Sequence, residues 1–310
     1  KILSKSKKFL EKLVKSFNEK LNIALEFHKK NNIESALKIY LELFETEKEN
    51  LNLLYLIGTS FIQLKKVELS INYLEQAVKI EKNHLQSLNN LGGAYYELNR
   101  FEEAVRIFEQ LLKLNPTNKT AKNNLANCYT GLRSYEKALK LYKEIIKENP
   151  KDHIAYNNIG NVYKNLNNYQ LSIKNYKNSL AVNPKYTLAY NNLGQLFNNL
   201  RLYKDSLKMY NQVSVIDPEY KNITGKIISI KQKICDWENH EKLKTKIIND
   251  IKNLKKVNPF TILSFIDDPK IQKICSETFI DKTFKYDEIE KNKTIAFNKK
   301  PKIAYFSSDF

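Results

Sequence analysis

The sequence predicts an all-α fold: an α-α superhelix of stacked helix pairs, then a helical linker and one orphan β-strand at the C-terminus. Three observations carry this. Pro116, Pro150, Pro184 and Pro218 stand 34 residues apart. Gly92, Gly160 and Gly194 keep the same interval, with Ala126 in the missing place and Gly58 extending the series upstream. The 310-residue chain holds only seven glycines and seven prolines, and so few breakers favour helices joined by short turns.

Setting the small residue as position 8 divides the chain into six repeats: 17–50, 51–84, 85–118, 119–152, 153–186 and 187–220. Position 7 reads Ile23, Ile57, Leu91, Leu125, Ile159, Leu193, and position 11 is aromatic throughout (Phe27, Phe61, Tyr95, Tyr129, Tyr163, Phe197). Position 20 is always small, and position 24 reads Tyr40, Leu74, Phe108, Tyr142, Tyr176, Tyr210. Positions 4, 7, 8 and 11 share one face of a first helix, and positions 20, 24 and 27 share one face of a second. Small residues at 8 and 20 allow close approach, the aromatics fill the seam, and proline at position 32 ends the second helix. No repeat buries its face alone, so neighbours must stack into a continuous core. In every diagnostic column this resembles the tetratricopeptide repeat, whose period is 34 residues. Residues 1–16, with Phe9, Leu13 and Phe17 four apart, are expected as the leftover second helix of an upstream repeat. That expectation, and the lack of an initiator Met, suggest a fragment or a processed chain.

Composition narrows the function classes. A mean hydropathy of −0.54 and the lack of a long apolar run argue against a transmembrane helix and a membrane partner. Cys128, Cys235 and Cys275 form no CxxC pair, and the four histidines show no metal-ligand spacing, so no metal site is assigned. Unpaired thiols fit a reducing, cytoplasmic setting. The net charge of +18 raises the question of nucleic acid. Against it, the lysines are scattered and only four arginines are present, whereas phosphate and base readers favour the guanidinium fork.

The inner helices of such a superhelix carry recurrent asparagine. Position 6 holds Asn22, Asn90, Asn124, Asn158 and Asn192, with Leu56 the exception. Position 5 adds Asn89, Asn123, Asn157 and Asn191, and position 9 adds Asn127 and Asn161. A carboxamide offers an acceptor and two donors, so a row of them can hold a peptide's N–H and C=O groups without reading side chains. The pattern resembles the asparagine ladder of protein O-GlcNAc transferases. These eleven residues are the candidate peptide-binding site, with protein or peptide substrates in the concave groove. Asparagine is also frequent at positions 6 and 9 of ordinary repeats.

Past Tyr220 the period stops. A helical linker is expected over 221–294. It has a helix from Ile223 to Ile234, Asp236 as N-cap of a second helix, a short helix over 261–266, and a last helix capped by Asp267-Asp268-Pro269. Trp237 is expected as a core anchor. Residues 295–310 are expected as one strand, from the β-prone run Ile303–Phe306. The linker, with Cys235-Asp236-Trp237, Asn258-Pro259-Phe260 and Asp267-Asp268-Pro269, and the ending Ser307-Ser308-Asp309-Phe310 together resemble glycosyltransferase family 41, the O-GlcNAc transferase and Spindly group. The resemblance implies a substrate-recruiting region whose parent transfers a sugar to Ser/Thr of proteins. UDP-GlcNAc is the first choice of donor and GDP-fucose the alternative. It also implies that the catalytic histidine and donor pocket follow Phe310, so no catalytic or cofactor-binding residue is assigned within the chain. The rival reading is a non-enzymatic repeat adaptor.

Overall fold

The structure is a computed structural model describing residues 2–263 and 265–283, with side-chain surroundings from residue 16 onward. The expected strand over 295–310 and the end of the expected linker lie outside the described residues. The described residues form helices and no strand. The chain divides into two compact units, Lys1–Leu196 and Phe197–Phe310.

In the first unit the helices come in pairs at the expected period. They are α1 (Ile2–Lys29) with α2 (Ile33–Phe44), α3 (Leu51–Gln63) with α4 (Val67–Ile80), and α5 (Leu85–Glu97) with α6 (Phe101–Leu114). Then follow α7 (Lys119–Gly131) with α8 (Tyr135–Glu148), α9 (His153–Asn165) with α10 (Tyr169–Val182), and α11 (Thr187–Asn199). Residues 2–29 run as one helix, where a break near residue 16 was expected. No Gly or Pro occurs in that stretch to end it. Asn50, Asn118 and Asp152 sit just before α3, α7 and α9. Their side chains accept from the third backbone N–H at 3.1, 3.0 and 2.9 Å.

Close approach of the two helices explains the small column. A Cβ added at Gly58 would lie 2.6 Å from Leu74, and one at Gly160 would lie 2.6 Å from the ring of Tyr176. Position 8 therefore abuts position 24, which is fully buried in every repeat from Tyr40 to Tyr176. One apolar cluster runs from Val67 through Leu91 and Phe108 to Cys128 and so joins three consecutive repeats. Two columns buried here were not legible as core: position 3 (Leu53, Ser87, Ala121, Ala155, Ala189) and position 10 (Ser60, Ala94, Cys128, Val162, Leu196). Their residues are mostly small and weakly apolar, so they leave little trace in a hydrophobic pattern. Conversely Ile23, expected in the core, is half exposed (52%), at the end of the stack where no earlier repeat is described to cover it.

The turn inside each pair is also periodic. Asn31, Lys65, Asn99, Arg133, Asn167 and Arg201, all at position 15, have φ between 57° and 61°. The next residue donates its N–H back to the carbonyl of position 11, as Arg100 does to Tyr95 at 2.9 Å and Asn168 to Tyr163 at 2.9 Å. This left-handed helix cap is usually filled by glycine, and none is used here.

The second unit contains α12 (Tyr203–Ile216), α13 (Ile223–Lys233), α14 (His240–Lys252), α15 (Pro259–Leu263) and α16 (Pro269–Thr283). The last four are more than a spacer, because Ile228, Ile247, Ile251, Val257, Ile262, Phe265, Ile271 and Cys275 form a core of their own. Asp268 caps α16 as expected, accepting from Lys270 N at 2.9 Å and Ile271 N at 3.3 Å. Two expectations fail. Asp236 does not cap α14. Cys235 and Asn239 both adopt left-handed backbone, so the helix starts only at His240. The Asp236 carboxylate instead accepts from Glu238 N at 2.9 Å and pairs with Lys231 at 2.6 Å, which holds its pKa below the usual carboxylate range. Trp237, carried on that same turn, is 56% exposed instead of anchoring the core. The short helix forms over 259–263, two residues early, because Pro259 takes its first turn.

Two outcomes follow. Lys65→Gly and Arg133→Gly should each raise stability by about 0.5–1 kcal/mol, the left-handed strain relieved less the extra chain entropy of glycine. Asn99→Gly should gain less, since asparagine tolerates that backbone. Denaturant titration of the three variants checks the order. Burial also pushes Tyr40, Tyr176 and Tyr210 up to about 12. The folded chain then holds protons that the unfolded chain releases near the ordinary tyrosine value. Stability should be complete below about pH 10 and fall as pH rises towards 12, with tyrosinate absorbance appearing together with loss of helical circular dichroism. Tyrosines that titrate normally in an intact helical chain would contradict this.

Candidate functional site

Successive first helices touch one another, α3 with α5, α5 with α7 and α7 with α9, while the second helices contact first helices in preference to one another. The first helices thus line the inner face of the first unit, and positions 5, 6 and 9 lie there.

The asparagines on this face are not eleven independent amides. Position 6 reaches back one repeat to position 9: Asn90 Nδ2 donates to Thr59 Oγ1 at 3.0 Å, and Asn158 Nδ2 to Asn127 Oδ1 at 3.4 Å. Asn192 Nδ2 donates to Asn157 Oδ1 at 2.9 Å, and Asn157 is itself buried. Asn89 and Asn157 donate to their own neighbours Asn90 and Asn158 at 3.5 and 3.3 Å. Asn123 donates to the Lys119 carbonyl at 3.4 Å, and its buried Oδ1 lacks a partner among the described residues. Asn191 is half-buried and hydrogen-bonded or otherwise engaged, whereas Asn22 is exposed near the end of α1. The row is therefore only partly available to a peptide. Five of the eleven, Asn90, Asn127, Asn157, Asn158 and Asn192, tie repeats together, because a carboxamide inside a helical stack finds its neighbour's polar group before solvent.

Asn124 differs. The residue one repeat back at position 9 is Gly93, which has no side chain to accept, and a Cβ added there would meet nothing within 4 Å. Among the described residues no hydrogen bond of the Asn124 amide is found, and it sits half-buried on the inner face.

Beside Asn124's neighbours lies a recess of about 240 Å³. Asn127, Asn158 and Asn161 line it, as expected of the ladder. Sequence reasoning missed its other walls: Tyr96, Phe101, Thr130, Gly131, Tyr142 and Asn165. Tyr142 Oη donates to Asn127 Oδ1 at 2.5 Å, and in the next repeat Tyr176 Oη donates to Asn161 Oδ1 at 2.7 Å. Burial raises the pKa of both tyrosines, so both hydroxyls stay protonated across ordinary pH. No charged side chain lines the recess. Tyr96, Phe101 and Gly131 stand in columns that vary from repeat to repeat, and that variability was the one signal available. Among the described residues, no group of His, Cys, Asp or Glu could hold a metal ion. Nor is any helix long and apolar enough to cross a membrane.

The repeats are tetratricopeptide repeats. Profiles of that repeat match residues 95–159 and 153–186. A profile described as anaphase-promoting complex, cyclosome, subunit 3 matches residues 29–111. No curated protein matches the sequence. Among solved structures, a tetratricopeptide repeat protein from Parabacteroides merdae ATCC 43184 covers 85% of this chain and 99% of its own, at 19% identity and a TM-score of 0.65. MamA from Desulfovibrio magneticus RS-1 covers 55% of this chain and 96% of its own, at 16% identity and a TM-score of 0.52. At these identities the likeness is one of fold. The chain has the tetratricopeptide-repeat fold.

Removing an engaged and an unengaged amide separates structure from recognition. Asn158→Ala should cost about 0.5–1.5 kcal/mol of stability, the net worth of a typical hydrogen bond. Asn124→Ala should leave unfolding unchanged. Equal losses in the two denaturation curves would remove the distinction.

Proposed function

We propose that the inner face grips extended polypeptide through backbone hydrogen bonds, and that this chain is the substrate-recruiting region of a protein O-glycosyltransferase. The observation that carries the first half is the inner-face row of carboxamides, which includes the unengaged Asn124 and flanks an uncharged recess. A row of amides beside an uncharged recess recognises what every peptide has, namely its N–H and C=O groups. The second half is supported by the segments resembling glycosyltransferase family 41, Cys235-Asp236-Trp237 through Asp267-Asp268-Pro269 and the ending Ser307-Ser308-Asp309-Phe310. On this reading the parent uses UDP-GlcNAc, with GDP-fucose as the alternative donor, and the chain by itself transfers no sugar.

The adaptor reading has one observation in its favour, the profile match over 29–111 to a subunit named for a multiprotein complex.

Two measurements test the proposal. Fluorescence anisotropy of extended peptides of unrelated sequence should show Asn124→Ala weakening each by a similar factor, roughly two- to tenfold, since one amide contact is worth about 0.5–1.5 kcal/mol. For the enzymatic half, the full-length gene product is incubated with radiolabelled UDP-GlcNAc or GDP-fucose and a Ser/Thr-rich protein. Sugar incorporation is expected from one donor. Peptide binding without transfer from either donor would leave the adaptor standing instead.

A further inference from the structure

The recess in the third to fifth repeats departs from the ladder around it, and the departure has a specific cause. Position 13 is polar in the other repeats, as in Gln63, Glu97, Asn165 and Asn199, but is Gly131 in the fourth. A Cβ there would fall 2.7 Å from the ring of Phe101. Glycine leaves the room beside α7 that the ring occupies. Tyr96, at the end of α5, meets Phe101 with ring centroids 5.7 Å apart and planes at 57°, and stays 39% exposed. One wall of the recess is therefore a pair of aromatic rings.

The opposite side consists of amides with spare donors. Asn127 and Asn161 both spend Oδ1 on tyrosine hydroxyls. No Nδ2 donation by either is found among the described residues. Space for a ring, an aromatic wall and free N–H donors without any charge define a narrow class of occupant. A carboxylate or ammonium would lose hydration and find no counter-charge. A small aliphatic group would leave the amides unmet. A phenol presents its ring to the aromatic wall and its oxygen to the amides.

We propose that this recess is a side-chain subsite that selects an uncharged aromatic residue, tyrosine foremost, in the extended peptide held by the ladder. The inference rests on the backbone-binding reading above and adds a sequence preference to it. The ladder supplies affinity for any chain, and Tyr96 and Phe101 set which residue lies opposite the fourth repeat.

The test uses the 310-residue chain and a fluorescent Gly/Ser host peptide with one central guest, Tyr, Gly or Glu, read by anisotropy. The Tyr peptide should bind roughly tenfold tighter than the Gly peptide, as expected for partial burial of an aromatic side chain, and Glu should bind no better than Gly. Tyr96→Ala removes the wall, and Asn165→Leu fills the mouth from an exposed position. Each should erase the preference and leave the affinity for the Gly peptide unchanged, with melting temperature as the folding control. Asn124→Ala should weaken Tyr and Gly peptides by the same factor. Equal binding of Tyr and Gly peptides to the parent chain would overturn the subsite while sparing the ladder. A Tyr preference that survives both recess variants would overturn it too. Failure of every host peptide to bind would sink the backbone reading and this inference with it.

Discussion

The contact between position 8 and position 24 governs the first unit. A ring or leucine from the second helix lies so close to the first helix that a single added carbon at Gly58 or Gly160 would reach it at 2.6 Å. That approach seals each pair, and each pair then offers an apolar face that only the next pair can cover. Position 24 also reaches past the seam. Where it is tyrosine in the fourth and fifth repeats, its hydroxyl emerges on the inner face and holds Asn127 and Asn161. Where it is Phe108, position 9 is Gly93 and no polar partner is required. Core and groove are thus built from the same side chains.

This coupling explains why the asparagines divide into two kinds. A helix period of 34 residues places position 6 of one repeat beside position 9 of the one before, and an amide facing an amide bonds to it. Asn158 is engaged in that way, and Asn192 reaches position 5 of the preceding repeat, Asn157, instead. Asn124 faces glycine, and among the described residues its amide has no hydrogen bond. A periodic fold therefore acquires a non-periodic inner face by losing a side chain at one place. Gly131 has the same logic, since its missing side chain admits Phe101 and opens the recess.

The second unit follows different rules. Its helices beyond α12 are uneven in length and capped by different devices, including left-handed Asn222 and Asn239 before α13 and α14. They nevertheless close on a compact apolar centre around Ile228, Ile247 and Ile262. Apolar side chains remain outside it, with Phe260 82% exposed and Trp237 56% exposed.

The sequence by itself determined the repeat period, the helix pairs, the small and aromatic columns and the helical nature of residues 223–283, because these depend on spacing along one chain and recur six times. It also named Asn127, Asn158 and Asn161, though not Asn165, among the asparagines that line the recess. It could not show that positions 3 and 10 are core, that Trp237 is outside, or that the pairs turn through left-handed Lys65 and Arg133, because a single column of small or charged residues carries no periodic signal of burial. Above all, it could not separate bonded amides such as Asn158 from unengaged ones such as Asn124. That distinction depends on which side chain of the preceding repeat stands opposite. Only stacking in three dimensions brings residues 31 positions apart, such as Asn158 and Asn127, within reach of a hydrogen bond.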